Sequence, residues 1–299
     1  MIRITNIERF ATHDGPGIRT TFFFKGCMLH CPWCSNPETW SSSPVLLHDA
    51  KKCTSCGLCE KACANGAIRL VNGQWTYDRH KCRVCRRCEA ECLNDAISFS
   101  GNDYTVSELV TIAKKDLDFY EESQGGVTLS GGEVFMQFEG LRELVHALKK
   151  EGLHVALETT GCYSNEKLKE IADEIDLFLM DLKHTDAEKL YEATGADGQL
   201  VMDNFRYLAD HYPEKIILRM PVIPRFNDDE ETILSVLDFA AQTGIAEVDL
   251  LPFHPLGKSK WIQMGRRYAY ENDKMMDKEN LYPYIQIGKE KGIQVKVGG

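Results

Sequence analysis

The sequence predicts an α/β protein built on a mostly parallel, barrel-like sheet and interrupted by a small cysteine-rich insert. Three observations lead there. From about residue 105, apolar strand-like runs alternate with helix-like runs, the pattern of parallel strands joined by right-handed crossovers. Residues 51–100 differ in texture and read as an internal repeat: KKCTSCGLCEKACANGAIRL and HKCRVCRRCEAECLNDAISF align without gaps, Cys53 falling on Cys82. The length of 299 residues, with 43% hydrophobic and 27% charged, suits one large domain plus a modest insert and excludes dominant disorder.

Taken in order, RITNIERF and Ile18 to Phe24 read as strands on either side of an Asp14–Gly17 turn, since both runs are rich in β-branched and aromatic residues. A cysteine group follows in the loop at the second strand's C-terminal end. After the insert, TVSELVTIAKKDLDFY is helical by the spacing of Leu109, Ile112, Ala113 and Leu117. Strand GVTLS, helix FEGLRELVHALKKEG, strand HVALET, helix NEKLKEIADEI and strand LFLMDLK come next. They are followed by a helix around MDNFRYLADHY, strand KIILRMPVI, helix DEETILSVLDFAAQTG, strand EVDLLPF and a last helical stretch ending in IQVKVGG. With the strand before Cys27 this makes six βα-like units. An open or closed barrel is favoured over a doubly wound sheet, and functional residues are expected at strand C-terminal ends.

Charge and cysteine usage narrow the class. Lys+Arg is 35 and Asp+Glu is 45, a net charge of −10, opposite to what a nucleic-acid binder relying on electrostatics needs. There is no run of 18 apolar residues and no apolar stretch in MIRITNIERF, so neither a membrane span nor a secretory signal is expected. A cytoplasmic chain with clustered thiols reads as metal binding, because thiols stay reduced there. Of the 12 cysteines, 11 fall in three groups, and the solitary Cys162 is expected to be a small core residue.

The first group, Cys27-x3-Cys31-x2-Cys34, offers three thiolates where a [4Fe–4S] cube takes four, leaving one iron for a small molecule. A zinc site completed by His30 is the alternative. The other groups are Cys53-x2-Cys56-x2-Cys59-x3-Cys63 and Cys82-x2-Cys85-x2-Cys88-x3-Cys92. They match the bacterial two-cluster ferredoxin run, in which the fourth Cys ligates the other cluster. One cluster then takes Cys53, Cys56, Cys59 and Cys92, and the other Cys63, Cys82, Cys85 and Cys88; zinc is again the alternative. Ala64 and Leu93 stand where Pro usually follows the fourth Cys, which relaxes a turn without removing a ligand. Ser130-Gly131-Gly132-Glu133 ends a strand, where a Gly pair lets a ligand approach the backbone and Glu133 can accept from an ammonium; a plain strand-to-helix turn is the alternative. Further polar residues follow later strands: Glu158, Thr159, Asp181, Lys183, Arg219 and His254. Singly each suits a solvated loop, but together they suit a site at a barrel mouth. Lys81, Arg83, Arg86 and Arg87 form either a basic docking patch or a solvated turn.

With CMLHCPWC, SGGE and DLK in this order, the chain resembles the radical S-adenosylmethionine (SAM) superfamily. THDGPGIRT, CSNPE and LLPFHPLGKSKW make it similar to the activating enzymes of glycyl radical enzymes, such as pyruvate formate-lyase activating enzyme. The resemblance covers nearly the whole chain. It implies a partial (β/α)6 barrel of radical SAM type from residues 1–50 and 101–299, with 51–100 as a ferredoxin-like insert carrying two [4Fe–4S] clusters. It implies that Cys27, Cys31 and Cys34 hold a third cluster, whose open iron takes the amino and carboxylate groups of SAM. Gly131, Gly132 and Glu133 would meet the SAM amino group, and Asp181, Lys183, His254 and Arg219 would line its site. A monovalent cation, Na+ or K+, would sit at Glu158, Thr159, Met180 and Asp181. Glu158 stands where Asp is common, and Val134 where the Gly-Gly-Glu motif is usually followed by Pro.

The activity so implied is reductive cleavage of SAM to methionine and a 5′-deoxyadenosyl radical, which abstracts a Cα hydrogen from a glycine of a glycyl radical enzyme. No side chain need act as a general acid or base. A flavodoxin or ferredoxin would donate the electron; no nucleic acid or membrane is involved. Two rivals share some of these features: a radical SAM enzyme acting on a small molecule or RNA, and a ferredoxin-type electron-transfer protein. The second leaves everything outside 51–100, most of the chain, unexplained.

Overall fold

The computed structural model describes residues 1–298. Strands β1 (Ile2–Ala11) and β2 (Arg19–Phe24) form an antiparallel hairpin around the Asp14–Gly17 turn. The cysteine-rich segment contributes β3 (Val45–His48), β4 (Ile68–Val71), β5 (Gln74–Tyr77) and β6 (Ile97–Ser100). Then follow β7 (Asn102–Tyr104), β8 (Gly126–Gly131), β9 (Val155–Thr159), β10 (Leu177–Asp181), β11 (Ile216–Val222), β12 (Glu247–Pro252) and β13 (Gln294–Val297). The main sheet has nine strands in the order β13-β12-β11-β10-β9-β8-β2-β1-β7. Within it the pairings that join β2, β8, β9, β10, β11, β12 and β13 are parallel, with β1 and β7 added antiparallel at one edge. The strands follow one another without a reversal of order, as winding in one direction around a barrel requires. The edges β13 and β7 are not joined, so the barrel is open.

Side chains alternate across such strands with period two. One face, with Phe22, Leu129, Leu157, Phe178, Leu218 and Leu250 fully buried, packs under the helices in the main core. The other face carries polar groups, Arg19 and Thr21 on β2, Thr128 and Ser130 on β8, Glu158 on β9, Asp181 on β10, Arg219 on β11 and Asp249 on β12, beside a small apolar cluster of Ala156, Leu177, Leu179 and Ile217. Asp181, Arg219 and Asp249 are direct neighbours in register. The turn between β1 and β2 is tucked against this face. Thr21 Oγ1 donates to Asp14 Oδ2 at 2.6 Å, Thr128 Oγ1 to the Asp14 carbonyl at 2.7 Å, and Arg219 Nη2 to the His13 carbonyl at 3.4 Å. β2 and β11 lie four strand spacings apart, roughly 19 Å on a flat sheet. The contact from His13 to Arg219 shows that the turn reaches across the polar face to the far side of β8, β9 and β10.

The turn's sequence is set by close approach. Gly17 has φ +70°, and a Cβ there would lie 2.5 Å from the Gly125 nitrogen. Arg19, fully buried, anchors the turn by donating to Thr128 Oγ1 (2.6 Å) and to the Val127 (2.7 Å) and Pro16 (3.1 Å) carbonyls.

The helical reading of 105–120 is resolved into two helices, Val106–Ala113 and Leu117–Ser123, separated by a 3₁₀ turn. A Thr105/Glu108 capping box starts the first. Two helices of the barrel part, Ala187–Thr194 and Lys258–Gln263, have no counterpart in the sequence reading, although Asp186 caps the start of the first and Gly195 (φ +80°) its end.

The cysteine-rich segment has its own small core of Leu46, Cys59, Ile68, Cys88, Ile97 and Phe99. β3 pairs antiparallel with β6, and β4 with β5 through an Asn72-Gly73 turn in which both residues have positive φ. The repeat is visible in the backbone. Ser55, Gly57 and Gly66 have positive φ, and so do Val84, Arg86 and Asp95 at the matching positions of the second copy. Val84 and Arg86 hold a conformation unusual for branched or long side chains, so the loop geometry is imposed twice on different residues.

Candidate functional site

At the C-terminal ends of the parallel strands lies a cavity of about 270 Å³. Successive strand ends wall it: Cys27, Cys31 and Cys34 after β2, Ser130, Gly131 and Gly132 at β8, and Glu158 and Thr159 at β9. Asp181 and Lys183 after β10, Pro221 and Ile223 around the end of β11, and Phe253 and His254 after β12 complete it. The structure therefore gathers most of the predicted residues. It does not bring Glu133, Met180, Arg219 or His30 to the wall.

The loop of the thiol trio is clamped by the late segment that follows β12. Lys260 Nζ donates to Asn36 Oδ1 and Glu38 Oε1 at 2.6 Å each, and Trp261 Nε1 to the Cys34 carbonyl at 2.8 Å. Gly257 packs so closely that a Cβ would lie 2.7 Å from the Cys34 carbonyl oxygen. CSNPE and PLGKSKW, near opposite ends of the sequence, are thus two halves of one fastening. The amide of Asn36 donates to Cys34 Sγ at 3.3 Å. Burial pushes all three thiols up to about 12, so they become thiolates only when a cationic group binds them. His30 is exposed, its ring beside Trp40.

Glu133 is fully buried and turned away from the cavity. Its carboxylate accepts from Thr159 Oγ1 (2.9 Å), the Thr160 amide (2.9 Å) and Thr160 Oγ1 (2.6 Å). Burial raises its pKa, against those hydrogen bonds, which pull it down. Its place is that of a brace between the ends of β8 and β9. The Gly pair before it touches the end of β2: Gly132 N donates to the Phe24 carbonyl at 2.9 Å, and Glu133 N to that of Gly26 at 2.8 Å. A Cβ on Gly132 would lie 2.2 Å from the Gly26 carbonyl oxygen. Gly132→Ala should therefore cost about 2 kcal/mol in stability, which urea denaturation checks. Val134 forms the 3₁₀ turn Val134–Gln137 without the Pro.

Two ion pairs stand in the barrel below and beside the cavity. Lys183 Nζ meets Asp181 Oδ2 at 2.7 Å, and Arg219 Nη1 meets Glu158 Oε1 at 2.7 Å. Ser130 Oγ donates to the other Glu158 oxygen. Burial works against both cations, but the carboxylates around them outweigh it and raise each above its ordinary value. Around the implied cation site, Ser130 and Arg219 donate to the two Glu158 oxygens, the Thr159 hydroxyl donates to Glu133, and the Met180 side chain lies on the opposite, helix-packed face of β10, so only oxygen lone pairs, not the thioether, could meet a cation there. Among the buried atoms without a hydrogen bond are His254 Nδ1, Asp249 Oδ1 and Arg219 Nε, all near the site.

The insert holds two further hollows. One is ringed by Cys53, Cys56, Cys59 and Cys92, and the other by Cys63, Cys82, Cys85 and Cys88. Each contains three cysteines of one repeat and the fourth of the other. The Ala67 amide donates to Cys63 Sγ and, at the matching position of the second copy, the Ala96 amide to Cys92 Sγ, both at 3.2 Å. Among the described residues no three His, Cys, Asp or Glu converge as closely as a single metal ion requires. The thiols surround volumes rather than points. Cys162 lies in the main core, its sulfur accepting from the Asp197 amide at 3.4 Å.

Residues 13–195 match the family model described as a 4Fe-4S single cluster domain. The 4-hydroxyphenylacetate decarboxylase activating enzyme of Clostridioides difficile (strain CD196) is 38% identical over 302 residues, covering 99% of this chain and 95% of the relative. The chain belongs to the activating enzymes of glycyl radical enzymes. This activating enzyme is also 38% identical, over 275 residues and 91% of each chain, to the (2S)-3-sulfopropanediol sulfolyase activating enzyme of Bilophila wadsworthia (strain 3_1_6). Its fold is that of the Streptococcus suis SuiB structure bound to S-adenosylmethionine, with a TM-score of 0.50 and 14% identity over 67% of this chain and 45% of that one. It is accordingly a radical SAM, iron–sulfur enzyme whose substrate is a protein, a glycyl radical enzyme. No helix among its described residues is long and apolar enough to cross a membrane.

Proposed function

We propose that Cys27, Cys31 and Cys34 hold a [4Fe–4S] cluster at the barrel mouth and that SAM binds across it against Gly131, Gly132, Asp181, Lys183 and His254. A cluster held by these thiols would supply the electron for reductive cleavage of the sulfonium carbon–sulfur bond of SAM to methionine and a 5′-deoxyadenosyl radical, which would take a Cα hydrogen from a glycine of the partner enzyme. The observation that carries this reading is the single cavity shared by the thiol trio and the polar ends of successive strands. Lys183 stays charged and can meet a carboxylate, while Asp181 keeps one oxygen free of Lys183. His254 has a buried nitrogen awaiting a partner. The tucked turn holding His13 and Asp14 closes the barrel interior beneath the site, limiting water from that side. Glu133 positions the walls by bracing β8 to β9, and Arg219 fixes Glu158.

Residues 51–100 form, in this reading, a ferredoxin-like insert on a barrel of residues 1–50 and 101–299, with β3 of the preceding segment paired onto the insert's β6 and one cluster in each ring of four thiols. The crossed cysteine sets and the amide-to-sulfur hydrogen bonds support clusters over single zinc ions. Lys81, Arg83 and Arg87 are exposed and suit an acidic flavodoxin or ferredoxin; Arg86 is instead turned inward to the Gly101 carbonyl. Two relatives with chemically different partners are equally similar, so the partner is defined here by class.

The two ion pairs are each neutral, so a monovalent cation, Na+ or K+, at Glu158, Thr159, Met180 and Asp181 remains part of this reading. SAM affinity should then fall about tenfold in choline buffer relative to potassium or sodium, as equilibrium dialysis can show. Agreement within about twofold would remove the cation.

The function is tested by anaerobic incubation of the reconstituted, reduced chain with SAM and candidate glycyl radical enzymes. A glycyl doublet in electron paramagnetic resonance (EPR), with stoichiometric 5′-deoxyadenosine, is expected for a cognate partner. 5′-Deoxyadenosine released without any protein radical across the whole panel would favour a small-molecule substrate.

A further inference from the structure

The duplication should make the two hollows of the insert alike, yet one side chain makes them different. Trp75, on β5, lines the hollow of Cys53, Cys56, Cys59 and Cys92. Its Nε1 is buried and has no hydrogen-bond partner. An indole N–H is a donor only, and leaving one buried and unpaired is unfavourable, so the position calls for an acceptor. The ring is held in place by His48, stacked on it with centroids 3.8 Å apart and planes 12° from parallel. The repeat counterpart of Trp75, at the same offset that sets Cys53 on Cys82, is Tyr104. It lies on β7, paired with Ile2 of β1, and lines neither cysteine hollow. Tyr77, further along β5, lines the other hollow. Its hydroxyl can rotate and can also accept, so it is not committed in the same way.

We propose that Trp75 Nε1 donates a hydrogen bond to a sulfur of the cluster held by Cys53, Cys56, Cys59 and Cys92, and thereby raises that cluster's reduction potential above its twin's. This rests on the two-cluster reading of the insert. Adding one electron makes the group one unit more negative, and a donor aimed at its sulfur stabilises the reduced form more than the oxidised one. Hydrogen bonds to sulfur are among the levers that set such potentials. The indole therefore orders two otherwise similar sites, so that an electron from a low-potential carrier rests preferentially on the Trp75 side.

The test uses the full chain with Cys27, Cys31 and Cys34 changed to Ala, reconstituted anaerobically, so that only the insert contributes. It should hold about eight irons, as two four-iron groups. A chain with fewer overturns the two-cluster reading itself, and the inference with it. With the iron present, redox titration followed by EPR should show two midpoints. Trp75→Phe should move the higher one to a more negative value and leave the other in place, and Tyr77→Phe should not move the higher one. Unchanged midpoints with iron retained would overturn the inference and leave the two-cluster reading standing. If Trp75→Phe loses iron, the unsubstituted position decides. With tryptophan labelled by ¹⁵N in the indole, the reduced chain should show a ¹⁵N hyperfine coupling, and its absence overturns the proposal.

Discussion

Cys31→Ala should abolish SAM cleavage by the reduced, reconstituted chain, by roughly 10⁵-fold or more. That is the lower end of what holding two reacting groups in place contributes, and the loss removes the tether for both. Cys31 is buried in the cavity wall, between Cys27 and Cys34, in a loop held from behind by Lys260 and Trp261. The clamp does not depend on the thiol, so the fold should survive the substitution. Two controls make the result specific. Cys162→Ala, in the main core, should leave cleavage near its original rate. Cys56→Ala, at an exposed position of the insert, should leave dithionite-driven cleavage intact even if it removes a cluster. Formation of 5′-deoxyadenosine, followed by chromatography, reads all three. Substantial cleavage by Cys31→Ala would show that the trio is not the site of the chemistry.

The second large effect is on stability. Glu158→Ala should destabilise the chain by about 3 kcal/mol, because it strands the Arg219 guanidinium, 6% exposed, in the barrel interior. Ser130 loses its acceptor at the same time. Asp249 lies next to Arg219 on β12 and takes up part of the charge, which keeps the figure at the lower end for a broken buried pair. Burial pushes Asp249 up to about 6, so this help is available near neutral pH and fades below it. Removing both partners should cost less than removing one. Glu158→Ala with Arg219→Met should recover at least about 1 kcal/mol of the loss in urea denaturation. A double variant less stable than the single one would mean that Arg219 is held chiefly by its other neighbours.

The thiol trio, the repeated cysteines and the alternation of strand and helix were legible because each is a local pattern with a fixed period or spacing. The strand ends that wall the cavity followed from the fold, since parallel strands wound in one direction bring their C-terminal ends together. Strand parity decides which of these side chains face the cavity. Met180 and Asp181 are adjacent on one strand and so face opposite sides, which removes the Met180 side chain from the site. The same parity could have flagged Arg19, Thr21, Thr128 and Asp249 as a polar inner face, which was passed over in the sequence. Glu133 was out of reach of such rules. Nothing local says that Thr159 and Thr160, on the next strand, will claim its carboxylate. The fastening of CSNPE by Lys260 and Trp261 joins stretches near opposite ends of the sequence, and spacing carries no trace of it.

The most direct test of the central claim is EPR of the full chain in which Cys53, Cys56, Cys59, Cys63, Cys82, Cys85, Cys88 and Cys92 are replaced by Ala. After anaerobic reconstitution and reduction it should show one cluster signal, which changes on addition of SAM and acquires a coupling to a ¹⁵N-labelled SAM amino group. A chain without iron at Cys27, Cys31 and Cys34, or a signal indifferent to SAM, would contradict the account.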